Sequence, residues 1–427
     1  MLLGPSTGGV GTHVAQLSAD LRQRGLEVLV VTHPLTAEHF ELGEVRLCWP
    51  GSAGRVHALR DLLVLRRLAS TADIVHAHGH QGGLLATLST VRMPGAPKLI
   101  VSLHNAILAG GTRQVLKRLS QRWVARRADL VTGASSDLVS EALAAGAGRA
   151  ELAEVPSPRV PELLARRPAD AATRLQTRQV LLASIGVDTH AGPHTDKGLD
   201  PSRDRDLDLD TGLDPDLDLD LDLDPDPDLD LDLDLDPHPY TGSEPYPDMG
   251  TGAPLVVTIS RIAPQKNLPI LVQAASLMGQ RCTWVVIGGG DARLMASLRQ
   301  QASTLSAPVH FVGSRRDVGQ WLRAAEVFVL PSQWEARALV VQEALAAGTP
   351  VVASDVGGLH DLVSGAGLLV PPGDPEGLAK AADRVLADPG LREDLVARGR
   401  RAAGELPDGS DTVSRWLAWY SETLGMT

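Results

Sequence analysis

The chain has 427 residues, 43% of them apolar, enough for two or three domains with substantial cores. Two cysteines, Cys48 and Cys282, lie far apart without metal-ligand spacing, so no disulfide framework is indicated and a reducing cytoplasm is the expected setting. The net charge of −12 belongs to one segment: residues 200–237 hold 17 aspartates and two arginines, and the remainder carries 38 basic against 35 acidic residues.

The chain opens with a strand candidate of only three apolar residues in MLLGPSTGG, where five or six would be usual. Either the first strand is very short or the translation start is placed too late. Gly8-Gly9-Val10-Gly11-Thr12-His13-Val14 then opens a helical pattern running His13–Arg24. The glycines allow close backbone approach, and a helix N-terminus favours an anion; a plain tight turn explains the same residues. The loop is not a GxxxxGK[ST] phosphate loop. Val14 spoils the G-x-G-x-x-G match, and the next strand ends Val31-Thr32-His33-Pro34 without an acid for a ribose, which disfavours a nicotinamide site.

Strand candidates follow at Glu27–Thr32, Ile74–His76, Leu99–Leu103 and Leu130–Thr132, with helical patterns between them such as Val56–Leu68. His76, His78 and His80 alternate on an extended segment in metal-like fashion, but no fourth ligand is evident. His104 ends a strand and is better placed to hydrogen-bond a sugar hydroxyl or a departing oxygen; a satisfied loop histidine is the plain alternative. Arg113, Lys117, Arg118, Arg122, Arg126 and Arg127 crowd a helical stretch with Leu116, Leu119, Trp123 and Val124. Such a helix can lie on anionic lipid, or it can be a solvated face over a core stripe.

Residues 189–250 contain the low-complexity aspartate tract, expected to be disordered, because alternate like charges repel and the prolines block a ladder. An EF-hand reading fails: Asp206, Asp208 and Asp210 fit, but Thr211 takes the glycine position and Leu217 the closing glutamate's.

Beyond the tract, strands are predicted at Leu255–Ile259, Thr283–Ile287, Val309–Val312, Val327–Leu330 and Val351–Ala353, again alternating with helices. Two such series imply two Rossmann-like domains with parallel sheets. Ser260 to Asn267 puts Arg261 and Lys266 just past a strand, where a fork and a point charge suit a diphosphate. Gly288-Gly289-Gly290-Asp291 reads as a tight turn with Asp291 as N-cap, with ligand contact second. Gly357-Gly358 gives backbone room near an anion, or only a turn. Glu335 and Glu343 stand eight positions apart across a loop-to-helix junction, up to about 12 Å along the axis. That exceeds the separation of an acid/base pair on one glycosidic bond and suits two hydroxyl-bearing ends of a long ligand. Taken alone, Glu335 is a helix cap and Glu343 a solvated residue.

Together these residues resemble the retaining glycosyltransferases of family 4, which have the two-domain GT-B fold. The resemblance covers nearly the whole chain apart from the insert. It is specific in SRIAPQKN, VVIGGGD, FVGSRRDVGQWLRAAEVFVLPSQWEARALVVQEALAAGTPVVASDVGGLHDLV and GLLVPPGDPEGLA, and looser in GGVGTHV, DIVHAHG, VSLHN and ADLVTGAS. It implies an α/β GT-B chain with two sheets facing a central cleft. The implied domains are an acceptor-side domain over 1–165, a linker and helix over 166–188, the disordered acidic insertion over 189–250, a nucleotide-sugar domain over 251–405, and a helix over 406–427 crossing back to the first domain. Donor contacts would come from Gly8, Gly9, Arg261, Lys266, Gly289, Glu335, Ala338, Leu339 and Glu343, with His104, Glu335, Arg261 and Lys266 as the catalytic group. Arg261 and Lys266 would grip the diphosphate, Glu335 the donor sugar and Glu343 the ribose, while His104 would face the sugar.

No metal or other cofactor is expected to be required, because the cations and helix N-termini neutralise the leaving group. The partners implied are a nucleotide-sugar and an unidentified acceptor (glycan, lipid-linked or small molecule), with no nucleic acid; the basic pattern over 113–127 separately allows peripheral membrane contact. A sugar-nucleotide epimerase and a non-catalytic nucleotide-sugar-binding protein are the alternatives. The chain departs from the family at Glu335-Ala336-Arg337-Ala338, where Glu-Gly-Phe-Gly is usual, and at Val155-Pro156-Ser157-Pro158, where Pro-Asn-Gly is usual.

Overall fold

The computed structural model describes residues 1–6, 8–50, 55–105, 111–186 and 253–426. The aspartate tract falls outside the described residues. The first half runs β1 (Leu2–Leu3), α1 (Gly9–Gln23), β2 (Val30–Thr32), α2 (Pro34–His39), β3 (Val45–Leu47), α3 (Arg55–Ala69) and β4 (Ile74–His78). It continues through α4 (Gly79–Thr90), β5 (Lys98–Leu103), α5 (Gly111–Arg127), β6 (Leu130–Gly133), α6 (Ser136–Ala145) and β7 (Ala150–Leu152). Helices α7 (Val160–Ala165) and α8 (Ala171–Ser184) lead across to the second half.

There β8 (Leu255–Ile259) precedes a 3-10 turn over Pro264–Lys266 and α9 (Leu268–Ser276), then β9 (Thr283–Ile287), α10 (Ala292–Thr304), β10 (Val309–Phe311) and α11 (Val318–Ala324). The chain ends with β11 (Val327–Leu330), α12 (Leu339–Ala347), β12 (Val351–Ser354), α13 (Gly357–Val363), β13 (Leu368–Val370), α14 (Pro375–Ala387), α15 (Pro389–Gly404) and α16 (Gly409–Leu424).

Both sheets are parallel throughout. The first has the order β3-β2-β1-β4-β5-β6-β7 and the second β10-β9-β8-β11-β12-β13. Their central strands, such as Val327-Phe328-Val329-Leu330, are buried on both faces, which is why they read as unbroken apolar runs. β1 spans only Leu2–Leu3, yet it pairs with both β2 and β4 in the interior of its sheet.

Several elements differ from their predicted extents. The strand predicted from Glu27 starts only at Val30, the one predicted to Val312 ends at Phe311, and the helix predicted from His13 starts at Gly9. The N-terminal unit also ends before residue 165, because Val160 and Leu163 of α7 pack into the core of the second domain. In α8, Leu181 and Leu182 pack with Leu255 and Val257 of β8, so the segment over 166–184 is built onto the second domain rather than strung between the two. The return crossing at the C-terminus is as expected. Val413, Trp416, Trp419 and Tyr420 of α16 share a buried cluster with Leu3, Val14 and Val30 of the first domain.

Candidate active site

A cavity of about 310 Å³ lies between the carboxyl ends of the two sheets. This is where open α/β sheets place ligands, because loops after the strands diverge there and helix N-termini point inward. From the first domain it is lined by Gly9 and Val10 at the start of α1, by His78 to Gly82 after β4, and by His104 and Asn105 after β5. The second domain supplies Ser260, Arg261, Gln265 and Lys266 after β8, and Trp334 to Val340 before and within α12.

The first turns of α1 and α12 meet across this cleft: a Cβ added at Gly9 would lie 3.8 Å from Leu339 Cδ1. Neither helix has a side-chain cap, at Gly8 or at Ala338. By contrast, α10, α14, α15 and α16 are each capped by an aspartate, at Asp291, Asp374, Asp388 and Asp408. In α1 the Gly11 N–H is already taken by Ser6 Oγ at 3.2 Å; the remaining first-turn N–H groups of the two convergent helices, with Arg261 and Lys266 alongside, make a site for an anion. A Glu335–Lys266 contact fixes one of those cations. Lys266 Nζ donates to Glu335 Oε1 at 2.7 Å and Ser332 Oγ donates to the same oxygen at 2.6 Å, all largely buried.

The glycines have more specific jobs than turn-making. Gly288 and Gly290 have φ of +145° and +143°, and a Cβ at either would strike the Ser260 or Ile262 carbonyl. They let the turn after β9 lie against the segment carrying Arg261. Gly289 does not line the cleft; its carbonyl accepts from Ile262 N at 2.7 Å, so it supports the Arg261 loop from behind. Gly358 serves the Glu335 loop in the same way. Its N–H donates to the Glu335 carbonyl at 2.8 Å, and a Cβ there would sit 1.5 Å from the Ala336 carbonyl oxygen.

On the opposite wall His104 is buried, with Nε2 3.1 Å from His78 Nδ1 and the two rings stacked at 16°. Burial pushes His104 down to about 3 and His13 to about 4, and drives His76 and His78 well below the ordinary range, with mutual repulsion acting in the same direction. All four imidazoles are therefore neutral. The three alternating histidines do not form a metal site. His76 bonds Tyr420 and Ser102, His78 bonds His104, and His80 bonds the Asn105 carbonyl. Among the described residues no cluster of metal-ligating side chains is present.

Glu343 lies on the second turn of α12 and does not line the cleft. Ser157 Oγ donates to its Oε1 at 2.7 Å and Arg159 Nη1 to its Oε2 at 3.3 Å, while Gln342 holds Ser157 N and the Val155 carbonyl. These two neighbours thus fasten the interdomain crossing to α12. Arg337, where the family resemblance expects phenylalanine, pairs with Glu154 of the first domain in a largely buried contact. Trp334 Nε1 donates to Asp137 Oδ2 at 2.7 Å, and Ser136 donates to Asp361 through both N and Oγ. Sequence reasoning missed Arg337, Glu154, His78 and Gln342. For His78 the alternation with His76 was a signal, but only the register of β4 against β5 shows that its partner is His104.

Residues 8–158 match the family described as "Glycosyl transferase 4-like domain" and residues 253–388 match "Glycosyl transferases group 1", together about two thirds of the chain. The D-inositol 3-phosphate glycosyltransferase of Jonesia denitrificans is 36% identical over 183 residues, covering 40% of this chain and 43% of that protein. The alpha-D-kanosaminyltransferase of Streptomyces kanamyceticus is 33% identical over 150 residues, covering 34% and 39%. The chain thus matches less than half the length of these relatives. Among solved structures, Anabaena HepE in complex with UDP and glucose is similar at a TM-score of 0.68 and 18% identity, covering 100% of this chain and 99% of that one. Sucrose-phosphate synthase from Thermosynechococcus elongatus gives 0.67 and 19%, again covering 100% and 99%. At these identities the structural likeness establishes the fold. The chain carries the two domains of the GT-B glycosyltransferase architecture.

Proposed function

We propose that this chain, a glycosyl transferase 4-like domain joined to a glycosyl transferases group 1 domain, moves a sugar from a nucleotide-sugar to an acceptor hydroxyl with retention of configuration. The observation that carries this reading is the convergence on one cleft of two helix N-termini, whose N-cap residues Gly8 and Ala338 offer no side-chain cap, with Arg261 and Lys266. That array suits a diphosphate, whose charge grows as the sugar departs. HepE, which shares the fold, has been crystallised with UDP and glucose, and this supports a nucleotide-sugar donor here.

In the reaction the bond from the anomeric carbon to the diphosphate breaks, and the acceptor oxygen bonds to the same face of that carbon. The acceptor's proton passes to the departing phosphate oxygen. Arg261, Lys266 and the first-turn N–H groups of α1 and α12, at Gly9 and Leu339, stabilise the diphosphate, so no metal is required. Glu335, anchored by Ser332, keeps Lys266 in place and accepts from a sugar hydroxyl. Neutral His104, oriented by His78, bonds a second hydroxyl on the transferred sugar. Glu343 reaches the ribose by giving up its contact with Arg159, whose side chain is half exposed. Proton NMR of the first-formed product tests retention: an α-linked donor gives an α-linked product, and a β-linked product would overturn the mechanism. Turnover that survives excess chelator tests the role given to the cations; loss restored by a divalent ion would overturn it.

A further inference from the structure

The exposed side of the first domain carries a feature that sugar transfer does not use. Strands β3, β4, β5 and β6 are joined through α3, α4 and α5 by parallel crossovers that all step the same way along the sheet after β3. Right-handed crossovers place those three helices on one face of the sheet. Their inner sides agree: Leu65 of α3, Ala86 of α4 and Val124 of α5 share one buried cluster with Leu99, Val101 and Val131 of the sheet. Their outer sides therefore form one surface.

That surface is basic and studded with leucine. On α3, Leu59 and Leu63 are 61% and 60% exposed, one turn apart, beside exposed Arg60 and Arg67. On α5, Leu119 is 54% exposed and flanked by exposed Lys117, Arg118, Arg122 and Arg126. None of these cations is in an ion pair among the described residues. Acids on the same side are few: half-buried Asp61 on α3 and exposed Glu141 on α6. The helix over 113–127 alone would be a weak lipid anchor, because Val124 packs inward and Trp123 is half-buried. The apolar contribution it lacks comes from α3.

We propose that the outer face of α3, α4 and α5 docks on the surface of an anionic lipid bilayer, with Leu59, Leu63 and Leu119 entering the headgroup layer and the arginines meeting lipid phosphates. Charge complementarity selects this occupant: unpaired cations surrounding protruding leucines match a negative interface with an apolar interior. Among the described residues no helix is long and apolar enough to cross a membrane, so the contact is peripheral. The same elements reach the cleft, since α4 begins at Gly79 and His80 and β5 leads to Asn105, all lining it. An acceptor hydroxyl carried on a lipid would therefore lie near the site.

Co-sedimentation of the full chain tests this, using vesicles of equal parts phosphatidylglycerol and phosphatidylcholine against phosphatidylcholine alone, at low and physiological salt. Binding is expected on the anionic vesicles only, and weaker with salt. At about fivefold per basic side chain removed, Arg118→Glu with Arg122→Glu weakens it by at least about thirtyfold. Leu59→Ser with Leu63→Ser weakens it by at least about tenfold. Arg281→Glu with Lys380→Glu, which changes net charge equally on the second domain, leaves binding intact. Unchanged melting temperature and nucleotide-sugar affinity in each variant keep the test separate from folding and from the transferase reading. No binding at low salt, equal binding to phosphatidylcholine alone, or equal loss in the control pair would overturn the proposal. Binding to heparin without binding to vesicles would also overturn it, making the face a site for a soluble polyanion.

Discussion

Mild acidification should destabilise the first domain more than the second. Four of its histidines, His13, His76, His78 and His104, are buried and neutral, held below the ordinary range by loss of hydration and by one another. In the unfolded chain each titrates near the ordinary imidazole value, so the unfolded state binds more protons as the pH falls below about 6.5, and stability declines with it. The loss begins at the unfolded value and continues until the folded values, about 4 for His13 and about 3 for His104, are reached. Between about pH 7 and pH 5.5 each imidazole costs about 1.2 kcal/mol, and the four together about 5 kcal/mol. That is comparable with the whole stability of an ordinary domain. The second domain has one such group, His310, lowered to about 4 by burial, and should lose only about 1 kcal/mol. Urea unfolding at a series of pH values, with hydrogen exchange to separate the domains, measures both slopes. A first-domain slope equivalent to less than about one proton would show that these rings ionise in place and would refute the assignment. His76→Gln should flatten the slope by one proton.

Three further substitutions probe other parts of the account. Gly358→Ala would drive a Cβ into the Ala336 carbonyl and displace the Glu335 loop; donor affinity measured by calorimetry well below the melting temperature should fall at least about tenfold, and the melting temperature should fall as well because the atom struck is backbone. Arg178→Ala strands Glu326, which now takes two bonds from Arg178 Nη1 and one from Leu255 N, and should cost about 3–5 kcal/mol in urea unfolding. Glu343→Gln should raise the donor KM, and Arg159→Ala should lower it or leave it unchanged, because Arg159 competes with the ribose for Glu343; a raised KM in both would make Glu343 a purely structural clamp.

What could be read from the sequence was set by the range of each interaction. The strands at Leu255–Ile259 and Val327–Leu330 were legible because both faces are buried, leaving continuous apolar runs. The edge strands Val45–Leu47, Ala150–Leu152 and Leu368–Val370 were missed, being three residues long and only partly buried. Asp291 was recognised as a cap because capping is decided within three residues. The positions of Arg261, Lys266, Glu335 and His104 at the cleft were also legible, since each follows or stands near the carboxyl end of a strand. The contacts that join the domains were not. Arg337 to Glu154, Trp334 to Asp137 and Glu343 to Ser157 link residues nearly two hundred positions apart, and no local pattern marks either partner. The glycine run reads as a tight turn, and only the family resemblance put Gly289 among the donor contacts; its neighbours Gly288 and Gly290 allow close packing of two loops.

The most direct test of the central claim is calorimetric titration of the chain with UDP-, GDP- and ADP-sugars, alongside Arg261→Ala and Lys266→Ala. The account predicts micromolar binding of one donor, lost in both variants while their folds are retained. A folded chain that binds none of them, or binds one equally well without both cations, would contradict it.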